Sequence, residues 1–155
     1  MKRVFIILLT ISISIGLSAQ VYKGATKNIS IEEKLNELYC TGLFQSTDGV
    51  ILDVASNSSA RSYPNILDWL EGRVAGLQIY RSGSGTTVPI IRGGIAGIFL
   101  DENPISLNAL SALNTNDIVI IKVIKTPFYG GFNGGNGAIA IYTAFDTRDE
   151  EEEEK

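Results

Sequence analysis

The residues that decide the fold are Ile118–Ile124, which read IVIIKVI. Val119, Ile121 and Val123 occupy alternate positions, and most of the positions between them also carry isoleucine. Side chains on a β-strand alternate between two faces, so a strand with one solvated face would alternate apolar and polar residues instead. This stretch is therefore predicted to be a central strand that is covered on both faces.

Short apolar runs on either side of this stretch predict the rest of a sheet. Gly, Ser, Asn and Pro separate the runs, and these residues favour turns. The predicted strands are Leu77–Tyr80, Pro89–Arg92, Ile98–Leu100 and Ala138–Thr143.

Helices are predicted between these strands. Asn65 is a cap residue ahead of an apolar stripe that runs to Ala75-Gly76, with Trp69 on the flank of the stripe. A second, short helix is predicted from leucines at helical spacing, Leu107, Leu110 and Leu113. We therefore predict an α+β fold, a small mixed sheet of four to five strands with two to three helices.

The amino-terminal part carries its own helix signal. Ser30 is a cap residue with Glu33 three positions later, and Ile31, Leu35 and Leu38 follow at helical spacing through Tyr39, so a helix is predicted there with Gly42 as the residue that terminates it. A short strand is predicted at Val50–Val54.

The chain divides into four segments by composition. Residues 1–19 have two basic residues and then an apolar run, which is typical of a secretory signal peptide. Residues 20–60 hold the first helix, the short strand and a linker, and residues 61–145 form the main domain. Residues 146–155 are predicted to be an acidic disordered tail.

The composition excludes several classes of function. The 155 residues have a net charge of −4, so no basic face is available for nucleic acid. The absence of histidine and the single cysteine, Cys40, remove most triad, thiol and metal chemistries, and no cofactor is expected. Cys40 is most simply a small buried apolar side chain. The protein is predicted not to be an enzyme.

Three stretches invite a chemical interpretation and are better explained structurally. The glycine cluster Tyr129–Gly137 matches no phosphate-binding motif and precedes a strand. The serines of Arg81–Thr87 have no histidine to activate them. Asp101 and Glu102 are neighbours that would point to opposite sides, so they cannot flank one glycosidic bond. Arg92, at a strand end, is expected to need a carboxylate partner or carbonyl acceptors.

Five blocks within Asn65–Thr143 match a known family in order. They are NILDWLEGRVAGLQI, PIIRGG, IFLDENPI, LNTNDIVIIKVIK and the stretch from Tyr129 to Thr143, YGGFNGGNGAIAIYT. This part of the chain resembles the plug domain of TonB-dependent outer-membrane receptors, particularly the glycan-importing branch. The resemblance implies a globular plug of mixed strands and helices, which in whole receptors sits inside a barrel of about 22 strands.

The sequence also departs from that family. Only 12 residues follow Thr143, too few for a barrel, and the family's turn glycine is replaced by Glu102, so we expect Asn103 to take the left-handed conformation there. An energy-coupling box is not evident. Val50–Ser56, VILDVAS, is either a faint candidate that adds as a strand to a partner or an ordinary strand of the plug.

The expected function is that of a stand-alone plug-like interaction module, located in the periplasm and associated with the outer membrane. Its expected partner is a separate outer-membrane barrel or transport component. Contacts with a ligand or partner are expected at Arg81, Arg92, Tyr129 and Asn133. Two alternatives remain open: a periplasmic binder of a small ligand such as a glycan or siderophore, with a groove near Arg81–Arg92, and a truncated receptor remnant without activity.

Overall fold

The structure, a computed structural model, describes residues 29–83, 85–130 and 134–144. The α-helices in this part are α1 (Ile31–Tyr39), α2 (Gly42–Ser46), α3 (Ile66–Leu70) and α4 (Leu107–Ser111). The strands are β1 (Val50–Asp53), β2 (Leu77–Arg81), β3 (Thr87–Ile91), β4 (Gly94–Ile95), β5 (Gly97–Leu100), β6 (Asn103–Pro104), β7 (Ile118–Ile124) and β8 (Ala138–Thr143). The predicted signal segment, the acidic tail and Asn133 lie outside the described residues.

The strands form two sheets. The larger sheet has the order β1-β7-β8-β5-β6, and its pairs are antiparallel except for the parallel pair of β5 and β8. The smaller sheet has the order β2-β3-β4. The predicted α+β class with a small mixed sheet is confirmed, and the second sheet is a feature that was not predicted. Val50–Asp53 pairs along its whole length with β7, as an ordinary strand of the sheet does.

Both faces of β7 are buried, as predicted. One face meets an apolar cluster that includes Trp69, and the other meets a cluster beneath α1 and α2 that includes Phe44 and the buried thiol of Cys40. The assignment of residues to faces needs one correction. A bulge interrupts the register between Ile118 and Ile120, and it exchanges the faces that Ile118 and Val119 were predicted to occupy.

The helix that carries Trp69 is shorter than predicted. Asn65 caps it through a hydrogen bond from the Leu67 N–H to Asn65 Oδ1 (2.9 Å), as predicted, but the helix ends at Leu70. Glu71 leaves helical geometry with a ψ of 125°, and Gly72 follows with a φ of +74° in a turn closed by the Arg73 N–H on the Leu70 carbonyl, at 3.1 Å. The Trp69 side chain is 1% exposed, and its indole N–H donates to Ser59 Oγ at 3.1 Å.

The first helix begins at its predicted cap and runs through Tyr39, as the spacing predicts. Ser30 Oγ accepts a hydrogen bond from the Glu33 N–H at 3.1 Å. The helix ends at Tyr39, and Gly42 begins α2 rather than ending α1, which corrects the prediction. In the part of the chain that the structure describes, this nine-residue helix is the longest, and none is suited to crossing a membrane.

The β5–β6 turn ties distant segments together. Leu100 pairs with Asn103, so Asp101 and Glu102 form a two-residue turn with φ values of 44° and 66°. The left-handed residues are therefore these two acids, and the expectation for Asn103 was wrong. Asp101 accepts hydrogen bonds from the N–H and hydroxyl of Thr143, at 2.9 and 2.8 Å.

The second acid of this turn reaches the amino-terminal segment. Glu102 accepts hydrogen bonds from the N–H and hydroxyl of Thr41, at 2.6 and 2.5 Å, and from the Tyr142 hydroxyl at 3.2 Å. These hydrogen bonds offset the conformational cost of the left-handed turn. A shorter polar side chain at position 102 would not reach Thr41. Residues 20–60 and 61–145, which were predicted as separate segments, are thus joined in their described parts.

Lys122 is the buried charge of the larger sheet, with 2% of its surface exposed. Its ammonium donates hydrogen bonds to the Phe44 carbonyl (2.5 Å), the Gln45 carbonyl (3.4 Å) and Asn36 Oδ1 (2.7 Å). Carbonyls in the last turn of a helix have no partner within the helix, so Lys122 supplies donors to the end of α2. Burial lowers the pKa of Lys122.

We expect Lys122→Met to loosen α1 and α2. The substitution keeps the apolar stem and removes three hydrogen bonds. It leaves the Phe44 carbonyl without its Lys122 donor at a cost of about 1–3 kcal/mol, whereas the Gln45 carbonyl still accepts from Asn36 Nδ2 at 3.0 Å. Amide hydrogen exchange in residues 36–48 is expected to accelerate while β8 stays protected. Lys125→Met, at an exposed position, is the matched control. Equal exchange rates in the two variants would show that Lys122 does not hold these helices.

A pH dependence is expected from Tyr142. Burial raises the pKa of the Tyr142 phenol above its ordinary 10.0. The folded protein therefore keeps this proton at a pH where the unfolded chain has lost it, and the free energy of unfolding decreases above pH 10 by about 1.4 kcal/mol per pH unit from this group. Urea unfolding of the wild type and of Tyr142→Phe is expected to show a constant stability difference at pH 7–9 that shrinks above pH 10. A difference that stays constant to pH 11 would contradict this.

Candidate functional site: a cationic cleft

Two cationic side chains line a cleft where the smaller sheet meets the end of β7. The cleft has a volume of about 330 Å³, and Arg92 and Lys125 supply its charges. The remaining lining residues are small, polar or apolar: Gly76, Gln78, Ile90, Ile91 and Gly93.

Arg92 occupies a turn that does not favour arginine. Ile91 pairs with Gly94, so Arg92 and Gly93 form the two-residue connection between β3 and β4, with φ values of 53° and 80°. Positive φ at both positions is the geometry of a type I′ turn, in which Asn or Gly is preferred at the first position. A left-handed conformation costs an ordinary residue about 1–2 kcal/mol. A strained residue of this kind is a reason to look for a function of its side chain.

The Arg92 guanidinium has no partner in the described part of the chain. Its side chain is exposed, and no hydrogen bond or ion pair reaches it from residues 29–83, 85–130 or 134–144. The expectation that Arg92 needs an internal partner was therefore wrong. The physical reason is its place at the tip of the turn, where water solvates the charge.

Lys125 is the residue that the sequence analysis did not include among the candidate contacts. It follows β7 directly and is exposed, and among the described residues it has no ion pair. The neighbouring chain comes close to it: a Cβ placed on Gly76, which has a φ of +86°, would lie 3.8 Å from Lys125 Cδ. The sequence offered one signal for Lys125 as a contact residue, namely its position directly after a buried strand and next to a predicted glycine turn. Together, Lys125 and Arg92 make the cleft attractive to an anionic group.

Arg81 does not belong to this cleft. It pairs with Thr87 at one end of the β2–β3 hairpin, whereas Arg92 follows Ile91 at the other end. Five residues of extended chain separate Thr87 from Arg92, roughly 16 Å. Arg81 donates to Asp68 at 2.9 Å and to Glu71 at 2.8 Å, and these carboxylates raise the pKa of the Arg81 guanidinium. Among the described residues, Arg81 and Arg92 therefore do not line the same cleft.

Tyr129 is separate from the cleft lining. Its side chain is 85% exposed, and it follows Phe128, whose ring is buried against Phe44 at a centroid distance of 4.6 Å. Within the described ranges, no cluster of three His, Cys, Asp or Glu side chains is placed to hold a metal ion. The site is thus a pair of cations suited to recognising an anion.

Comparison with known proteins relates the fold to solved structures. Sequence comparison with family models and with curated proteins finds no match. The RagAB peptide transporter matches at 26% identity with a TM-score of 0.52, over 64% of this chain and 13% of that chain. The ferric enterobactin receptor PfeA from Pseudomonas aeruginosa matches at 16% identity with a TM-score of 0.51, over 75% of this chain and 19% of that chain.

These solved structures are transport receptors rather than enzymes, and this chain spans less than a fifth of their length. The similarity to these structures is one of fold. The described part of the chain has the fold of a plug-domain-like fragment of a TonB-dependent receptor, which confirms the resemblance predicted from the sequence.

Proposed function

We propose that this chain is a non-enzymatic, plug-like interaction module on the periplasmic side of the outer membrane. It binds a separate barrel-type component of a nutrient uptake system, and the cationic cleft of Arg92 and Lys125 is the point of contact. The observation that carries the proposal is Arg92, an exposed arginine without a described partner in a turn that favours Asn or Gly.

The backbone strain supports a role for the Arg92 side chain outside this chain. An Asn-Gly pair would form the same turn at lower conformational cost, and nothing described in the protein uses the guanidinium. A cost that no internal contact offsets is consistent with a contact made to another molecule.

The chemistry of the two cations favours a carboxylate partner. A guanidinium forms two parallel hydrogen bonds with a carboxylate, and an ammonium adds a second positive charge without fixed geometry. In water such pairs contribute little, but their contribution increases when docking removes the water around them. Acidic side chains on the inner wall of a barrel would supply this partner, since the family that the chain resembles holds its plug inside a barrel.

The substrates of the matched receptors are not assigned to this chain. One matched structure is a peptide transporter and another is a ferric enterobactin receptor, and the chain corresponds to a small part of each. The fold supports a relation to uptake in general, and the cleft supports an acidic protein partner.

We expect the double variant Arg92→Asn/Lys125→Gln to fold more stably and to bind less well. Asn in the left-handed turn is expected to raise the free energy of unfolding by about 1 kcal/mol. Loss of both cations is expected to reduce binding to isolated outer membranes at least about tenfold, measured by co-sedimentation at low salt. High salt is expected to release the wild-type protein.

The matched control removes two positive charges elsewhere. Lys34 and Arg61 are exposed and lie outside the cleft, so Lys34→Gln/Arg61→Asn is expected to bind membranes like the wild type. Crosslinking should identify the bound membrane component as a β-barrel protein. Equal loss of binding in both double variants, or no membrane binding by the wild type, would refute the proposed function.

A further inference from the structure

The larger sheet has an open edge at β1. This strand pairs with β7 on one side, and no described strand pairs with it on the other. The Val54 N–H donates to the Val119 carbonyl at 2.9 Å, which fixes the direction of the main-chain groups. The main-chain N–H and C=O groups of successive residues point to opposite sides of a strand. Because those of Val54 point toward β7, those of Ile51 and Asp53 point away from it.

A groove of about 510 Å³ runs along this edge. Its lining comes from the first turns of α1, from β1, and from the layer of α3: Ile31, Glu32, Leu35, Ile51, Leu52, Asp53, Asn57, Trp69 and Arg73. Side chains from both faces of the sheet line the groove. Ile51 packs with the cluster beneath α1, whereas Leu52 packs with the cluster around Trp69.

A strand laid in this groove would be held on both faces. Its main chain would pair with Ile51 and Asp53, and its alternate side chains would enter the layer of α1 or the layer of α3. Ile31 is 71% exposed on the wall of the groove and Leu35 is half-buried, so apolar surface is already present on the α1 side.

Among the described residues, no lysine, proline or bulge protects this edge against strand addition, although the strand is only four residues long and ends in Asp53. Proteins block exposed edges with lysine, proline, bulges or a covering element. The β1 sequence Val-Ile-Leu-Asp contains no lysine or proline, and its register with β7 is regular. This absence of protection makes β1 receptive to another strand.

The charges at the rim select for a cationic occupant. Glu32 is exposed and has no ion pair among the described residues, and the Asp53 carboxylate accepts hydrogen bonds only from Ser56. Arg73, the one cation that lines the groove, is already engaged: it donates to the Trp69 carbonyl and lies 4.7 Å from the centre of the Trp69 ring.

We propose that the β1 edge groove binds an extended segment of a partner protein by strand addition. The segment carries apolar residues at alternate positions and a lysine or arginine that faces Glu32. This groove shares no lining residue with the cleft of Arg92 and Lys125, so the two proposals can be tested independently.

A phage-displayed library of ten-residue peptides is the probe for this site. Selection on the full chain is expected to enrich peptides with alternating apolar residues and one basic residue. In the presence of a selected synthetic peptide, amide exchange at Ile51 and Asp53 is expected to slow, while Leu52, already paired with β7, stays unchanged. Protection of Leu52 alone, or no enrichment, would overturn the proposal.

Variants on the groove wall separate this site from others. Ile31→Glu and Glu32→Lys, both at exposed positions, are each expected to weaken peptide binding at least tenfold. Leu38→Glu is the matched control, because Leu38 is 72% exposed on the same helix and lies outside the groove. Arg92→Asn/Lys125→Gln is expected to bind the peptide normally. Equal loss in Leu38→Glu and Ile31→Glu would overturn the proposal.

Discussion

Burial of β7 on both faces is the constraint on which the rest of the structure depends. A strand of this composition cannot form one wall of a two-layer domain, so a second layer has to cover each side. The layer of α3 and the smaller sheet covers one face, and α1 and α2 cover the other. Lys122 shows the consequence most clearly, because its charge reaches no bulk water and is satisfied by helix carbonyls instead. The amino-terminal helices are therefore part of the packing that buries β7.

Features specified by neighbouring residues could be predicted from the sequence. The bounds of β7 and β8 follow from runs of mostly apolar residues, and the start of α1 follows from the cap at Ser30. Features specified by distant contacts could not. The left-handed Asp101 and Glu102 are held by Thr143 and Thr41, and no pattern within the turn reveals such partners.

The end of α3 shows a different limit of sequence reasoning. Val74 is buried as the apolar stripe predicts, but the backbone has left the helix at Glu71, and a turn through Gly72 brings that side chain to the core. A buried apolar residue at helical spacing is therefore not necessarily part of the helix. The cationic cleft has the same limit: Arg92 stood out in the sequence, whereas its proximity to Lys125 depends on how two sheets meet.

The place of β8 in the sheet has a consequence for folding during synthesis. The strand lies between β7 and β5, and its pair with β5 is parallel, so the last strand of the described chain fills the middle of the sheet. Every truncation before Ala138 leaves β7 and β5 with nothing between them. A chain that is synthesised from its amino terminus therefore cannot complete this sheet until β8 has emerged from the ribosome, so the joining of the earlier strands into one sheet has to wait for residues 138–143.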